Sequence, residues 1–414
     1  MFSPFASRDF RVLWLAIFLR SAALWLDQVA RPVLIVELTG SALLLGAVLA
    51  ARMAPNLLLG LFAGTIVDRY PRRVVLVMSQ AGNVAATGAL FLLLLFDLAE
   101  AWHVIALAAA AGVNIAFFQP ARQAILPSMV PPAALRPAVA LSQTANTSMR
   151  IGGALLAGLL LEFADFIWIY GAMTGIYAGA VICTALIRTK GTAGLSTSRA
   201  GGSLARQTLS GLRWAYETRW PLAVLAISVV MFVFLVPYQG VFIPLMVIDV
   251  LGEQKSWVGY LIAIGGAGAA AGSLALAGLR TIPAPGRLMA ALLIVGGLGL
   301  AAMSGAPHLA VVAACVFVAA ASSTNVMSLA NLTLLAQATE GMARRALSLM
   351  NIARGMILVG ALVTGGFADL LGARAGLLTM GICLAVSAVL MFASPIARRV
   401  SEPERPDSPE GANR

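Results

Sequence analysis

The sequence predicts an all-α membrane protein whose twelve transmembrane helices form two pseudo-symmetric six-helix bundles. Three observations carry this. Of the 414 residues, 60% are hydrophobic and 11% charged, and the mean hydropathy is +0.92; soluble domains are roughly half apolar and a quarter charged. Apolar runs of about 20 residues, the length that crosses ~30 Å of hydrocarbon, recur along almost the whole chain. Short motifs also recur about half a chain apart.

The apolar runs occupy 11–36, 42–66, 74–96, 103–125, 138–161, 167–187, 222–247, 256–279, 287–305, 308–336, 345–369 and 375–394. The first follows Arg8, is apolar for too long and lacks a small-residue cleavage pattern, so it reads as a retained helix rather than a removable signal. Lys and Arg accumulate in loops that stay in the cytoplasm. Arg8, Arg11, Arg69, Arg72, Arg73, Arg280, Arg287, Arg344, Arg345, Arg398 and Arg399 all fall on one side. The opposite loops carry Asp97, Glu100, Glu162, Asp165, Asp249, Glu253 and Asp369, with Lys255 and Arg374 as their cations. Both termini are therefore expected in the cytoplasm, and the formal net charge of +11 follows from this rule rather than from a nucleic-acid partner.

Gly153-Ala154-Leu155-Leu156-Ala157-Gly158 recurs as Gly360-Ala361-Leu362-Val363-Thr364-Gly365, and Ala140-Leu141-Ser142 as Ala346-Leu347-Ser348. Glu37 followed by Gly40 matches Asp249 followed by Gly252, and His103 matches His308. A shared offset of that size implies a duplicated six-helix unit. The expected organisation is a bundle over 1–187, a linker with an interfacial helix over 188–221, a second bundle over 222–396 and a disordered tail over 397–414. Gly60 with Gly64 and Gly268 with Gly272 are four residues apart and predict close helix contact.

Enzyme chemistry is not expected. Cys183, Cys315 and Cys383 sit singly in apolar runs, without the spacing of a disulfide framework or metal site. His103 and His308 begin helices at the acidic side and read as interfacial residues. No nucleophile-base set, phosphate loop, metal or cofactor is implied.

Between the second and third runs, Gly64, Asp68, Arg69, Arg72 and Arg73 crowd a carboxylate and three arginines into one short turn. With twelve helices in two halves, this stretch resembles the signature of the major facilitator superfamily. Glu37-Leu38-Thr39-Gly40-Ser41, Ala51-Arg52-Met53-Ala54-Pro55 and Pro120-Ala121-Arg122-Gln123-Ala124-Ile125-Leu126-Pro127 are similar to its bacterial enterobactin-exporter-like branch of transmembrane secretion effectors. Pro71 stands where the signature has its second glycine, and Gly152-Gly153 where a Gly-Pro pair is expected. The resemblance implies that Asp68 docks on the start of the eleventh helix, near Arg344 to Leu347, when a cytoplasmic gate is shut. Arg69, Arg72 and Arg73 would then donate charge-assisted hydrogen bonds to the opposing half.

Arg20, Arg52, Arg150 and Arg354 lie within roughly 5 Å of the bilayer midplane at about 1.5 Å per residue. A charge there costs at least ~2.5 kcal/mol and belongs in an aqueous cavity or against a partner. Asp27 is the main deep carboxylate, and Arg20, Asp27 and Arg31 share one helical face. The resemblance makes helices one, four, seven and ten cavity-lining. Those helices carry Asn114, Gln119, Tyr238, Gln239, Asn325 and Asn331, while Gln143 and Asn146 flank Arg150 on helix five. An electropositive cavity should prefer anions. The expectation is a monomeric secondary transporter in a bacterial cytoplasmic membrane, exporting a small amphipathic anion, siderophore-like or drug-like, in exchange for protons carried by Asp27. Two alternatives stay open. Asp27 pairs with Arg31 or Arg52, with the other arginines locking helices together; or the chain takes up organic anions, or is a sensor or scaffold.

Overall fold

The computed structural model describes residues 3–189, 191, 216, 220–279, 282, 284–337, 343–394 and 400, without the side chains of 61, 65, 337 and 343–348. Most of the linker, the tail apart from residue 400, and the side chains from Arg344 to Leu347 therefore lie outside the described residues.

Twelve membrane-length helices are present: α1 (Arg8–Thr39), α2 (Ala42–Arg69), α3 (Arg72–Leu95), α4 (Ala101–Ile125), α5 (Leu135–Phe163), α6 (Phe166–Ala185), α7 (Trp220–Val250), α8 (Ser256–Ala277), α9 (Pro285–Ser304), α10 (Leu309–Gln337), α11 (Ala343–Gly355 and Ile357–Leu371) and α12 (Ala373–Ala393). Eleven are apolar enough to cross a membrane by composition. The twelfth, α5, falls short because the polar run 142–148 and Arg150 interrupt it. Helix ends follow local chemistry. Ser7 and Ser41 accept from the N–H groups of Phe10 and Leu44 to cap α1 and α2, and Gly40 closes α1 at φ 63°, a left-handed position that glycine occupies without penalty. α7 loosens into wide turns at Met231–Leu235 and Met246–Val250, and α11 is interrupted at Met356.

The contact pattern repeats between halves. α2 packs on α4, α3 on α4 and α6, and α1 on α5 and α6; correspondingly α8 packs on α10, α9 on α10 and α12, and α7 on α11 and α12. Two pairs make the main contacts between the halves, α2 with α11 and α5 with α8, and α7 also touches α1 and α2. The repeated hexapeptides build both. A Cβ on Gly46 would overlap the carbonyl of Ala361, and one on Gly365 would come 2.8 Å from that of Ala42. A Cβ on Gly259 would lie 2.5 Å from Gly158 Cα and 2.7 Å from the Ala154 carbonyl. Gly153 and Gly360 make the same approach to α1 and α7, where an added Cβ would meet Trp25 Cβ at 3.0 Å and the Val233 carbonyl at 2.6 Å. Glycine is required at these places because backbones touch there.

Gly268 and Gly272 likewise press on α10, at Phe317 and at Ala321 with Asn325. Gly60 does not follow the expectation: nothing lies within 4 Å of its Cβ position. Its stretch of α2 lies beyond the contact with α11 that ends near Leu57 and Gly355, so the spacing there has no facing helix to serve.

Candidate functional site

Buried charge is concentrated on α1 and α2. Arg20, Asp27, Arg31 and Arg52 are 4%, 3%, 2% and 4% exposed. Spacings of seven and four residues stack the first three on one side of α1, and Arg52 enters from α2. Asp27 Oδ1 accepts from Arg31 Nε at 2.9 Å and Nη2 at 2.8 Å, and Oδ2 accepts from Arg52 Nη1 at 2.8 Å. Arg31 Nη1 donates to the Val104 carbonyl at 3.2 Å, so its whole fork is engaged and ties α1 to α4. Arg52 differs. It spends Nη1 on Asp27 and on Gln28 Oε1, 3.1 Å away, leaving the other two nitrogens of the fork for a ligand. Arg20 has no carboxylate partner among the described residues; its guanidinium lies 3.8 Å from the centre of the Phe118 ring, a cation–π contact, and its Nε carries no hydrogen bond. Two buried arginines hold Asp27 and a third, Arg20, lies two turns away on α1, so the buried charges on these two helices sum to an excess of two positive charges.

A cavity of about 150 Å³ opens on this cluster. Its charged wall is α1 and α2: Trp25, Asp27, Gln28, Arg31 and Arg52, with Pro32, Leu45, Val48, Leu49 and Met53. Its opposite wall is apolar apart from Gln239: Val236, Gly240, Ile262 and Ile357, from α7, α8 and α11. The arrangement can bind a compact molecule with one acidic end and an apolar body.

Of the cavity residues expected from sequence, Asp27, Arg52 and Gln239 come together here. The others do not line it. Tyr238 turns away, donating to the Val316 carbonyl at 3.3 Å and accepting from Gln239 Nε2 at 3.3 Å. Asn114 donates to Asn83 on α3 at 3.1 Å, and Asn325 is buried against Gly272. Gln119 and Arg354 are exposed, and Asn146 and Asn331 are half-buried. Gln143 accepts from Arg122 at 3.2 Å. Arg150 sits with its guanidinium 5.5 Å from the Trp25 ring centre. The physical reason is the packing of α4 on α2 and α3, and of α10 on α8 and α9, which occupies faces that the resemblance assigned to the cavity. Arg31, Trp25 and Gln28 were absent from the expected lining. Their proximity to Asp27 in sequence was the available signal.

The two ends of the bundle differ. At the acidic end, Asp369 on α11 accepts from the Ser41 hydroxyl at 3.3 Å and the Leu43 N–H at 3.4 Å, capping α2 from the other half. Glu162 on α5 accepts from the Tyr260 hydroxyl on α8 at 2.8 Å. Lys255 donates to Glu37 at 3.0 Å. Among the described residues, every hydrogen bond and ion pair joining the halves lies at this end. At the arginine-rich end Asp68 and Arg69 are exposed and form no bond to a described residue of the other half. Arg72 and Arg73 donate within their own half, to the carbonyls of Ala124, at 2.9 Å, and Ala185; the side chains from Arg344 to Leu347, the expected partners across the interface, lie outside the described residues. Bonds between the halves thus close the acidic end, and among the described residues none spans the arginine-rich end. Gly64 lies in the last turns of α2, at the arginine-rich end.

The structure is similar to that of the nucleoside transporter NupG, with 10% identity over 95% of this chain and 99% of that one and a TM-score of 0.77. It also resembles a bacterial homolog of the human lysosomal transporter Spinster in an inward-facing, unoccupied conformation (14% identity, 95% and 96% coverage, TM-score 0.71). A third similar structure is the peptide transporter POT (13% identity, 95% of each chain, TM-score 0.71). At such identities the likeness shows the fold. No curated protein matches the sequence significantly. The sequence model described as transmembrane secretion effector matches residues 1–409, and the chain belongs to that family of multi-pass transporters of the major facilitator type.

Proposed function

We propose that the protein exports a small amphipathic anion from a bacterial cytoplasm by proton-coupled alternating access, as a monomer with both termini inside. The observation that carries this reading is the cavity between the halves, where Arg31 and Arg52 hold Asp27, the one buried carboxylate among the described residues, so that the charged wall keeps one excess positive charge, with the buried Arg20 two turns further along α1. Low-dielectric walls strengthen that excess of positive charge, so the site favours anions and disfavours lipophilic cations. Asp27 is the proton site, and Arg52, which lines the cavity and keeps donors unspent on Asp27, is the arginine that meets the substrate.

The halves, 1–187 and 222–396, rock about α2–α11 and α5–α8. Arginine-rich loops on the open side support an inward-facing state. Closure at that side brings Asp68 to the start of α11, as Asp369 caps α2 at the opposite end. Such contacts are worth about 0.3–1 kcal/mol each when exposed, which suits a switch between two states of similar energy. Efflux rather than uptake follows the secretion character of the family.

The test is retention of amphipathic anions in cells lacking the gene. The deletion strain should hold several-fold more anion, and Asp68→Asn should fail to restore efflux although it reaches the membrane. Lower retention in the deletion strain would indicate uptake, and retention of lipophilic cations instead would sink the anion reading.

A further inference from the structure

The cluster around Asp27 also fixes the sense of the coupling. We propose that Arg52 is shared between Asp27 and the substrate anion, so that a compact monoanion and one proton move in the same direction and cross together as a neutral pair. This rests on the reading of the cavity as an anion site and replaces proton exchange with co-transport, export of the pair then being driven by the anion's own outward gradient.

The two arginines holding Asp27 have different freedom. Arg31 is saturated by Asp27 Oδ1 and the Val104 carbonyl, and it is a positioning residue. Arg52 holds Oδ2 through Nη1 only and lines the cavity. An incoming anion offers the Arg52 fork a second carboxylate-like partner, with bidentate geometry available. As Arg52 turns to the substrate, Oδ2 loses its donor and takes a proton from the cavity; on release to the other side the anion leaves, the proton leaves Oδ2, and Arg52 returns.

The charges facing Asp27 make this linkage unavoidable in sign. Arg20 and Arg31 lie on α1, Arg52 on α2, Arg150 on α5, and Tyr170 and Tyr177 on α6; α4 contributes only the Val104 carbonyl. The wall supplied by α7, α8 and α11 contains no titratable side chain. Protonating Asp27 raises the excess positive charge of the site and strengthens anion binding. By reciprocity, the anion strengthens proton binding by the same factor. Exchange would need the opposite sign. The volume, about 150 Å³, is below the ~300–1,000 Å³ of pockets for drug-sized ligands and suits a compact acid.

The probe is benzenesulfonate, which stays anionic at all working pH values, so any proton that accompanies it rides on the protein. In proteoliposomes of the full chain, a benzenesulfonate gradient should drive protons in the same direction, read by a lumenal pH dye, with no net current. Asp27→Asn should carry the anion with current and without proton flux. Arg52→Gln should lose about 10- to 100-fold in benzenesulfonate binding, the range expected for a charge-assisted bond. Protons moving against the anion, or current in the unmodified protein, would overturn the proposal. If Asp27→Asn does not fold, the pH dependence of benzenesulfonate binding to the unmodified protein decides, by Trp25 fluorescence against a Trp25→Phe blank. Binding that strengthens toward acid supports shared Arg52, and binding that weakens refutes it. Transport of phenyltrimethylammonium with no benzenesulfonate flux would instead defeat the anion reading itself.

Discussion

The amino-terminal half buries Arg20, Asp27, Arg31 and Arg52; among its described residues the carboxy-terminal half buries no charged side chain, only Ser228, Ser256, Ser304, Ser322, Asn325, Thr333 and Thr364 as polar groups. The backbone architecture nevertheless matches closely. Gly158 and Gly365, Gly153 and Gly360, and Glu162 and Asp369 do equivalent work in the two halves, each pair separated by 207 residues (365 − 158, 360 − 153 and 369 − 162). Duplication has therefore kept the devices that let helices touch and close, while ionisable chemistry belongs to one side of the cavity. One half recognises charge and the other supplies an apolar surface that can move against it.

Breaking the charged half should have the largest effect. Asp27→Leu leaves two buried arginines without their counter-ion, and removing one partner of a buried pair costs about 3–5 kcal/mol; detergent melting curves should show it as a large loss of thermal stability. Thr364→Val in the other half should be neutral or stabilising, because the Thr364 hydroxyl is fully buried without a partner. Equal losses at the two positions would refute the asymmetry.

A middle-sized effect tests the shared backbone device. Gly46→Ala and Gly259→Ala each press a methyl group into facing backbone, and overpacking of this kind costs about 1–3 kcal/mol in the state closed at the acidic end. Both should raise labelling of Leu45→Cys from that side by similar factors, on a background lacking Cys183, Cys315 and Cys383. Gly60→Ala, which meets nothing, should leave labelling unchanged. Smallest should be Lys255→Gln: with 33% and 43% of the Lys255 and Glu37 side chains exposed, that ion pair contributes about 0–1 kcal/mol and fades with salt.

The fold was legible because bilayer length and apolar composition act over whole helices. Twelve runs, their ends within a few residues and the repeated hexapeptides could all be read without coordinates. The site was only partly legible. Asp27 with Arg31 was visible as a four-residue spacing, and pairing with Arg31 or Arg52 was one of two readings left open; both pairs form. What could not be read was helix rotation, which sends Tyr238 to α10 and Asn114 to α3 rather than to the cavity. Bonds from Arg72 and Arg73 to main-chain carbonyls were equally hidden, since any residue supplies a carbonyl. Gly60 shows the limit of spacing as a signal: small residues mark a contact only where another helix arrives.

The most direct test of the central claim compares two probes of the same body and opposite fixed charge, benzenesulfonate and phenyltrimethylammonium, for transport by the reconstituted protein. The sulfonate should be carried at least about ten times faster, a difference of ~1.4 kcal/mol, and Arg52→Gln should bring the ratio toward one. Faster transport of the cation, or a ratio unmoved by Arg52→Gln, would contradict a charge-reading amino-terminal half.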